Sequence, residues 1–247
     1  MKLDEIPAHG PIVALIPERP ERPHGLGRHV FHDPRSRLFD VGAQEQVTPG
    51  HIVHERHIDY LDQGQVGSCV GNAATGMLGT SPFFDTAAVH GLTLDEEYAL
   101  GLYSEATHLD GIPGYYPPTD GGSSGLGAAK ALRRRGLIQR YEHAFSIKGM
   151  LTALKRAPVI VGTVWLTGMS EPDSRGFAHL AGSVEGGHEY LCREFEPAPK
   201  LSDGVLTFDN SWSSSWGDGG RFRLYVRDFA YLLSQQGDVT APVPLAA

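Results

Sequence analysis

The spacing of apolar residues along the chain changes near residue 149. Before that point it is helical. Leu94 to Tyr103 carries apolar residues at helical spacing with Asp95, Glu96 and Glu97 in its first turn, which predicts a helix. Small residues from Cys69 to Gly79 predict another, broken at Pro82. Leu126 to Leu132 reads as a short helix, finished by Arg133 to Arg135 and stopped at Gly136. Met150 to Arg156 reads as one more, ended before Pro158. After it the period falls to that of strands. Val159 to Leu166 is β-branched and apolar, a buried strand, and further strands are expected at His188 to Phe195, Gly204 to Asn210 and Arg221 to Tyr225. A helix-rich part followed by a strand-rich part predicts an α+β fold of two lobes, the helical one at about 60–148 and the β lobe at about 149–234. Residues 1–24, with Pro7, Pro11, Pro17, Pro20 and Pro23, read as a flexible lead, and 235–247 as a flexible tail. Residues 25–58 read as irregular chain and short strand wrapped on the body.

The 247 residues carry a net charge of −8, with 40 % apolar and 20 % charged positions. That balance suits a soluble globular protein and disfavours nucleic acid and anionic membranes as partners. The two cysteines, Cys69 and Cys192, make no disulfide framework, which points to a reducing compartment. The apolar run Ile12 to Ile16 is too short for a secretory signal or a membrane span, so the expected location is cytoplasmic. His51, His54 and His57 recur every third residue, but no cysteine or carboxylate completes a ligand pattern, so neither a metal nor a cofactor is expected. Gly122, Gly125 and Gly127 lack the order and the preceding strand of a dinucleotide loop.

Chemistry concentrates in three segments. Asp62-Gln63-Gly64-Gln65-Val66-Gly67-Ser68-Cys69 sets one cysteine at a helix start, where unpaired N–H groups and the positive dipole end favour a thiolate. Gly186-Gly187-His188 puts a histidine at the mouth of a strand. Phe208-Asp209-Asn210-Ser211-Trp212 puts an asparagine at a strand end. Each has a bland reading alone: a buried cysteine after a turn, a surface histidine, an ordinary loop asparagine. Together they supply a nucleophile, a base and an orienting group, with Trp212 shielding the histidine–asparagine hydrogen bond and Gln63 donating to an oxyanion. Cys192, on the same strand as His188, reads as a core thiol.

The order Gln-Gly-x-x-Gly-Ser-Cys, Gly-His and Asn-Ser-Trp, with a second tryptophan at Trp216, resembles the papain-like cysteine peptidases, and most of all their stand-alone bacterial and viral type. His188 and Asn210 stand 119 and 141 residues after Cys69. The resemblance runs over about residues 55–230. It implies a papain-like two-lobe fold, with a helix-rich lobe carrying the nucleophile and an antiparallel, β-barrel-like lobe carrying histidine and asparagine. It also implies a catalytic domain over 25–234, with Cys69 as nucleophile, His188 as base and acid, Asn210 as orienter and Gln63 as oxyanion donor. Gly121, Gly122, Gly187 and Trp212 are the implied substrate-binding positions. The activity implied is peptide-bond hydrolysis through an acyl-enzyme on a peptide or protein substrate. An amidase, isopeptidase or transpeptidase would use the same groups, and a catalytically silent module would bind peptide only. Val66, Val70, Gly187 and Ser213 depart from the family pattern without removing a catalytic group. A Cys69–His188 ion pair would lower the thiol pKa to about 3–5. Residues 1–55 are too short and proline-rich for the helical pro-region of lysosomal members, and self-shielding of the cleft by residues 1–24 is expected instead.

Overall fold

The computed structural model describes residues 24–30, 32–42 and 50–246. The expectations for residues 1–23 lie outside them. Asp33 caps a 3-10 turn, Pro34–Phe39, by accepting from the Arg35 N–H. Nothing in that turn is buried, and Leu38 is 81 % exposed. The short strand β1 (Ile52–Val53) follows.

Helix α1 (Cys69–Leu78) is buried along its whole length, which is why it is built from small residues. A Cβ on Gly71 would collide with the main chain at Ala99 and Tyr103, so glycine is what lets α1 lie against α3. Next come α2 (Phe83–Val89), α3 (Glu96–Leu109) and α4 (Gly125–Arg134). Asp95 caps α3 and Ser124 caps α4, each accepting from an N–H in the first turn. After β2 (Arg140–His143) comes α5 (Ile147–Arg156), capped by Ser146. The strand-rich part holds β3 (Val159–Leu166), β4 (Val184–Glu196), β5 (Val205–Asp209), β6 (Arg221–Tyr225), α6 (Val226–Ser234) and β7 (Asp238–Val243).

The strands form one seven-stranded antiparallel sheet in the order β2-β7-β3-β4-β5-β6, with β1 paired to β4. The fold is α+β as expected, but the sheet is open rather than barrel-like, because β2 and β6 at its two ends do not pair. Successive residues of β3 and β4 face opposite sides, so these two strands serve two apolar cores. Val161, Trp165, Tyr190 and Cys192 face α5 and α6, with Phe208, Trp212, Phe222 and Phe229. Ile160 and Leu191 face α1 and α4, with Val70, Ala74, Met77 and Leu132.

Two stretches differ from the sequence reading. Residues 238–243, expected as frayed tail, form β7 between β2 and β3. Pro242 argues against a central strand, yet β3 pairs only with Asp238 to Thr240, so residues 241–243 have β2 alone beside them. Residues 226–234 form a helix that the reading left out. No helix among the described residues is long and apolar enough to cross a membrane.

Candidate active site

The segment before α1 reaches across to the β part. Gln63 N donates to Ser211 O at 2.9 Å, Ser213 N donates to Leu61 O at 2.9 Å, and Asp62 bridges Trp212. Gln63 Oε1 accepts from Ser211 Oγ at 2.6 Å, and Gln63 Nε2 donates to Val66 O at 2.8 Å. The glutamine is therefore locked in one orientation beside the asparagine loop. Cys69 opens α1, and its sulfur accepts main-chain N–H groups from Val70, from Gly27 and from Glu189, the residue after His188. These contacts bring the start of the helix against the middle of β4.

His188 is wholly buried on β4, and Nε2 stands 2.7 Å from Asn210 Oδ1. That oxygen also accepts from Ser211 N at 2.8 Å, which fixes the amide orientation and makes the imidazole Nε2–H the donor. Nδ1 of the neutral ring is then the unprotonated nitrogen. It is buried and has no hydrogen-bond partner. Trp212 stacks on the ring at 4.9 Å and 27°, and Trp165 meets it edge-on at 5.0 Å. Asn210 is held from behind: Asp209 accepts from Arg193 Nε at 2.9 Å and from Arg56 Nη1 at 3.1 Å.

The loop of residues 120–122 is tied to the loop before α1 by one carboxylate. Asp120 accepts from Gly67 N at 2.9 Å and from the Tyr103 hydroxyl at 2.6 Å, and that hydroxyl accepts from Gly122 N at 2.8 Å. Burial and Asp120 raise the Tyr103 phenol above its ordinary range.

Residues 25–30 lie along the cleft as a strap. Gly25 N donates to Gly64 O, and Gly25 O accepts from Gln63 Nε2 at 2.9 Å. Gly27 O accepts from Ser123 N at 2.8 Å, His29 N donates to Ser123 O at 2.6 Å, and Arg28 N donates to Gly187 O at 3.0 Å. The His29 ring contacts Gly121 O. His24 stacks on Trp212 at 4.7 Å. Gly27 is so close to the loop before α1 that a Cβ would strike the Gly67 main chain. Gly122, at φ +85°, comes equally close to the Gly27 carbonyl.

Burial sets the electrostatics. Burial, then the charge of Glu189, push the Cys69 thiol up to about 12, against the three N–H groups that favour the thiolate. Burial lowers His188 to about 4; the Asn210 hydrogen bond opposes this, and His24 adds to it. Both shifts favour the neutral thiol and the neutral imidazole, so the ion pair that would have lowered the thiol to about 3–5 is disfavoured in the resting chain. The physical reason is burial, which penalises both charged forms.

The structure thus sets the Cys69 sulfur on the main chain of Glu189, next to His188, and Gln63 on the loop of Asn210 and Trp212, with no hydrogen bond between the Cys69 sulfur and His188 Nδ1, and it sets Gly121, Gly122 and Gly187 against the strap. Ser123, the residue that pairs twice with the strap, escaped the sequence reading. It acts through its backbone, which leaves no side-chain signature. The histidines weighed as a metal pattern part ways: His54 meets Leu154 O and His57 meets Ser81 Oγ. Cys192 is a core thiol, with Glu194 O at 3.9 Å.

No protein-family model and no curated protein sequence matches this chain. Solved structures do. Xylellain, a cysteine protease from Xylella fastidiosa, superposes with a TM-score of 0.66 at 15 % identity, over 94 % of this chain and 100 % of that one. Procathepsin L 3 of the Tenebrio molitor larval midgut gives 0.57 at 14 % identity, over 81 % and 71 %. Bromelain from Ananas comosus, solved with the inhibitor E64, gives 0.54 at 16 % identity, over 77 % and 95 %. The fold of this chain is papain-like.

Proposed function

We propose that the protein is a papain-like cysteine peptidase that hydrolyses peptide bonds through a Cys69–His188–Asn210 site and an acyl-enzyme. One observation carries the reading: Gln63, the Cys69 sulfur, Ser123 and Gly187, the residue before His188, already hold a stretch of polypeptide by its main chain. A site that grips residues 25–30 this way has the donors and acceptors to grip a substrate.

In the proposed cycle His188 Nδ1 takes the thiol proton as Cys69 Sγ forms a bond to the substrate carbonyl carbon. The oxyanion receives hydrogen bonds from Gln63 Nε2 and the Cys69 N–H. Collapse breaks the C–N bond, and the imidazolium returns its proton to the leaving amine. His188 then deprotonates a water that attacks the thioester, releasing the carboxylic acid and restoring the thiol. Asn210 Oδ1 keeps the ring in the tautomer both halves need, and Trp212 keeps water from that hydrogen bond.

In the resting chain Gly25 O occupies Gln63 Nε2, and the thiol is neutral. Among the described residues, self-shielding is assigned to residues 25–30 with His24 on Trp212. The two unpaired thiols suit a reducing compartment, and the cytoplasm is the location this reading carries.

Digestion of a peptide library, read by mass spectrometry, tests the proposal. Cleavage by the native chain, or by a variant with the strap displaced, and none by its Cys69→Ala counterpart is expected. Equal cleavage by both, or none in either under conditions that displace the strap, overturns it.

A further inference from the structure

Arg28 is the strap residue whose side chain runs into the body of the protein. Neither it nor the Glu189 side chain has any solvent exposure, and the Asp238 side chain keeps 21 %. Arg28 Nε donates to Asp238 Oδ2 at 3.1 Å and Nη2 donates to Asp238 and to Gln236 O, the latter at 2.6 Å. Arg28 Nε lies 3.8 Å from Glu189 Oε2. Gln236 holds φ +65°, a strained value for a residue with a side chain, and it offers its carbonyl to the guanidinium. Two glycines clear the room: a Cβ on Gly162 would meet Arg28 Nε and Glu189 Oε2, and one on Gly125 would meet Glu189 Oε1.

Its occupant leaves several polar groups unpaired. Arg28 Nη1, both Glu189 carboxyl oxygens and Thr240 Oγ1 are buried without a hydrogen bond. Two carboxyls, a backbone carbonyl and a hydroxyl in one buried chamber are costly unless a cation enters. An apolar side chain there would leave them all unpaired, whereas an arginine fork or a lysine ammonium supplies donors.

We propose that this chamber is the specificity subsite of the cleft, that it takes an arginine or lysine side chain of a peptide substrate, and that Glu189 and Asp238 select it. The inference rests on the reading of the cleft as a peptidase site. Arg28 follows Gly27, whose N–H meets the Cys69 sulfur, and its own N–H meets Gly187 O beside His188. A peptide that replaces the strap on Ser123 and Gly187 drops a side chain into the same chamber, close to the bond that is cut. Arg28 is thus a built-in stand-in for the substrate's basic residue.

The test uses the full chain with Gly27→Ala and Arg28→Ala, which displace the strap and empty the chamber. Peptides identical except for arginine, lysine, norleucine or glutamate, moved through each position beside the cleaved bond, are compared by kcat/KM. At one position arginine or lysine is favoured over norleucine at least about tenfold, in keeping with charged hydrogen bonds of ordinary strength. Asp238→Asn or Glu189→Gln in that background brings the ratio towards one, with a melting curve as the check on folding and Asp238→Ser as the alternative should the amide variant melt early. Adding Cys69→Ala and measuring peptide affinity by calorimetry reads the same ratio without chemistry. Peptides cut or bound with no basic preference, or a preference untouched by both substitutions, overturn the subsite. Basic-selective binding without cleavage overturns the peptidase reading and leaves the subsite standing.

Discussion

At the scale of single residues, the site turns on which imidazole nitrogen carries the proton. Asn210 Oδ1 accepts from both His188 Nε2 and Ser211 N, and so leaves Nδ1 as the unprotonated nitrogen, the base of the proposed cycle. His188→Ala is expected to lower kcat/KM by about 10² to 10⁴ in a strap-displaced variant, measured on a fluorogenic peptide. In the resting chain burial holds His188 near 4, below the ordinary 6.5. A lowered histidine pKa disfavours the cation in the folded state, so this contribution to stability is whole above 6.5 and is lost as the pH falls through about 4. The imidazole resonances of His188 should accordingly titrate near pH 4 in the native chain; a midpoint at or above 6.5 would contradict the covered geometry. The thiol shift has the opposite consequence: with Cys69 pushed up to about 12, iodoacetamide should label the resting chain slowly at pH 7. Cys69, Gln63, His188 and Asn210 were legible because their chemistry lives in side chains of fixed order. Ser123 and Gly64 were not, since a main-chain N–H or C=O is the same in every residue.

At the scale of elements, the strap depends on two points of close approach. Gly27→Ala pushes against the Gly67 main chain and should lift the strap. The expected result is faster iodoacetamide labelling of Cys69, and an unchanged rate would place the strap's hold elsewhere. The loop carrying Asn210 depends on the Asp209 cluster. Arg193→Ala leaves Asp209 buried with Arg56 as its remaining guanidinium partner, and should cost about 3 kcal/mol in urea unfolding. Strand β3 and helices α1 and α5 were readable from period alone, because a run of small or β-branched residues has few other uses. Strand β7 was hidden by Pro242 and by the Ala/Pro-rich residues around it. Its pairing with two strands ends at Thr240, a fact of topology that local pattern cannot carry.

At the scale of the whole molecule, two cores share the central strands, and the cleft lies where the start of α1 meets β4. The order of helix-rich and strand-rich parts was legible; the open edge between β2 and β6 was not, since closure depends on register between strands far apart in sequence. Because β7 joins β2 to β3, truncation after Gln236 should abolish cooperative thermal unfolding rather than trim a loose end. A loss of only a degree or two would refute that.

The exposed turn Pro34–Phe39 joins the strap to the body at Asp40 and Val41, which pair with His143. A ligand on so short a tether acts at an effective concentration on the order of millimolar, whatever its own affinity. Free peptides must match that local concentration to compete. A single cut after Arg35 or Arg37, both in that turn, changes the arithmetic: the strap becomes an ordinary dissociable peptide, and dilution alone empties the cleft. Limited trypsin treatment should therefore yield activity that rises on dilution, while the uncut chain shows no such dependence.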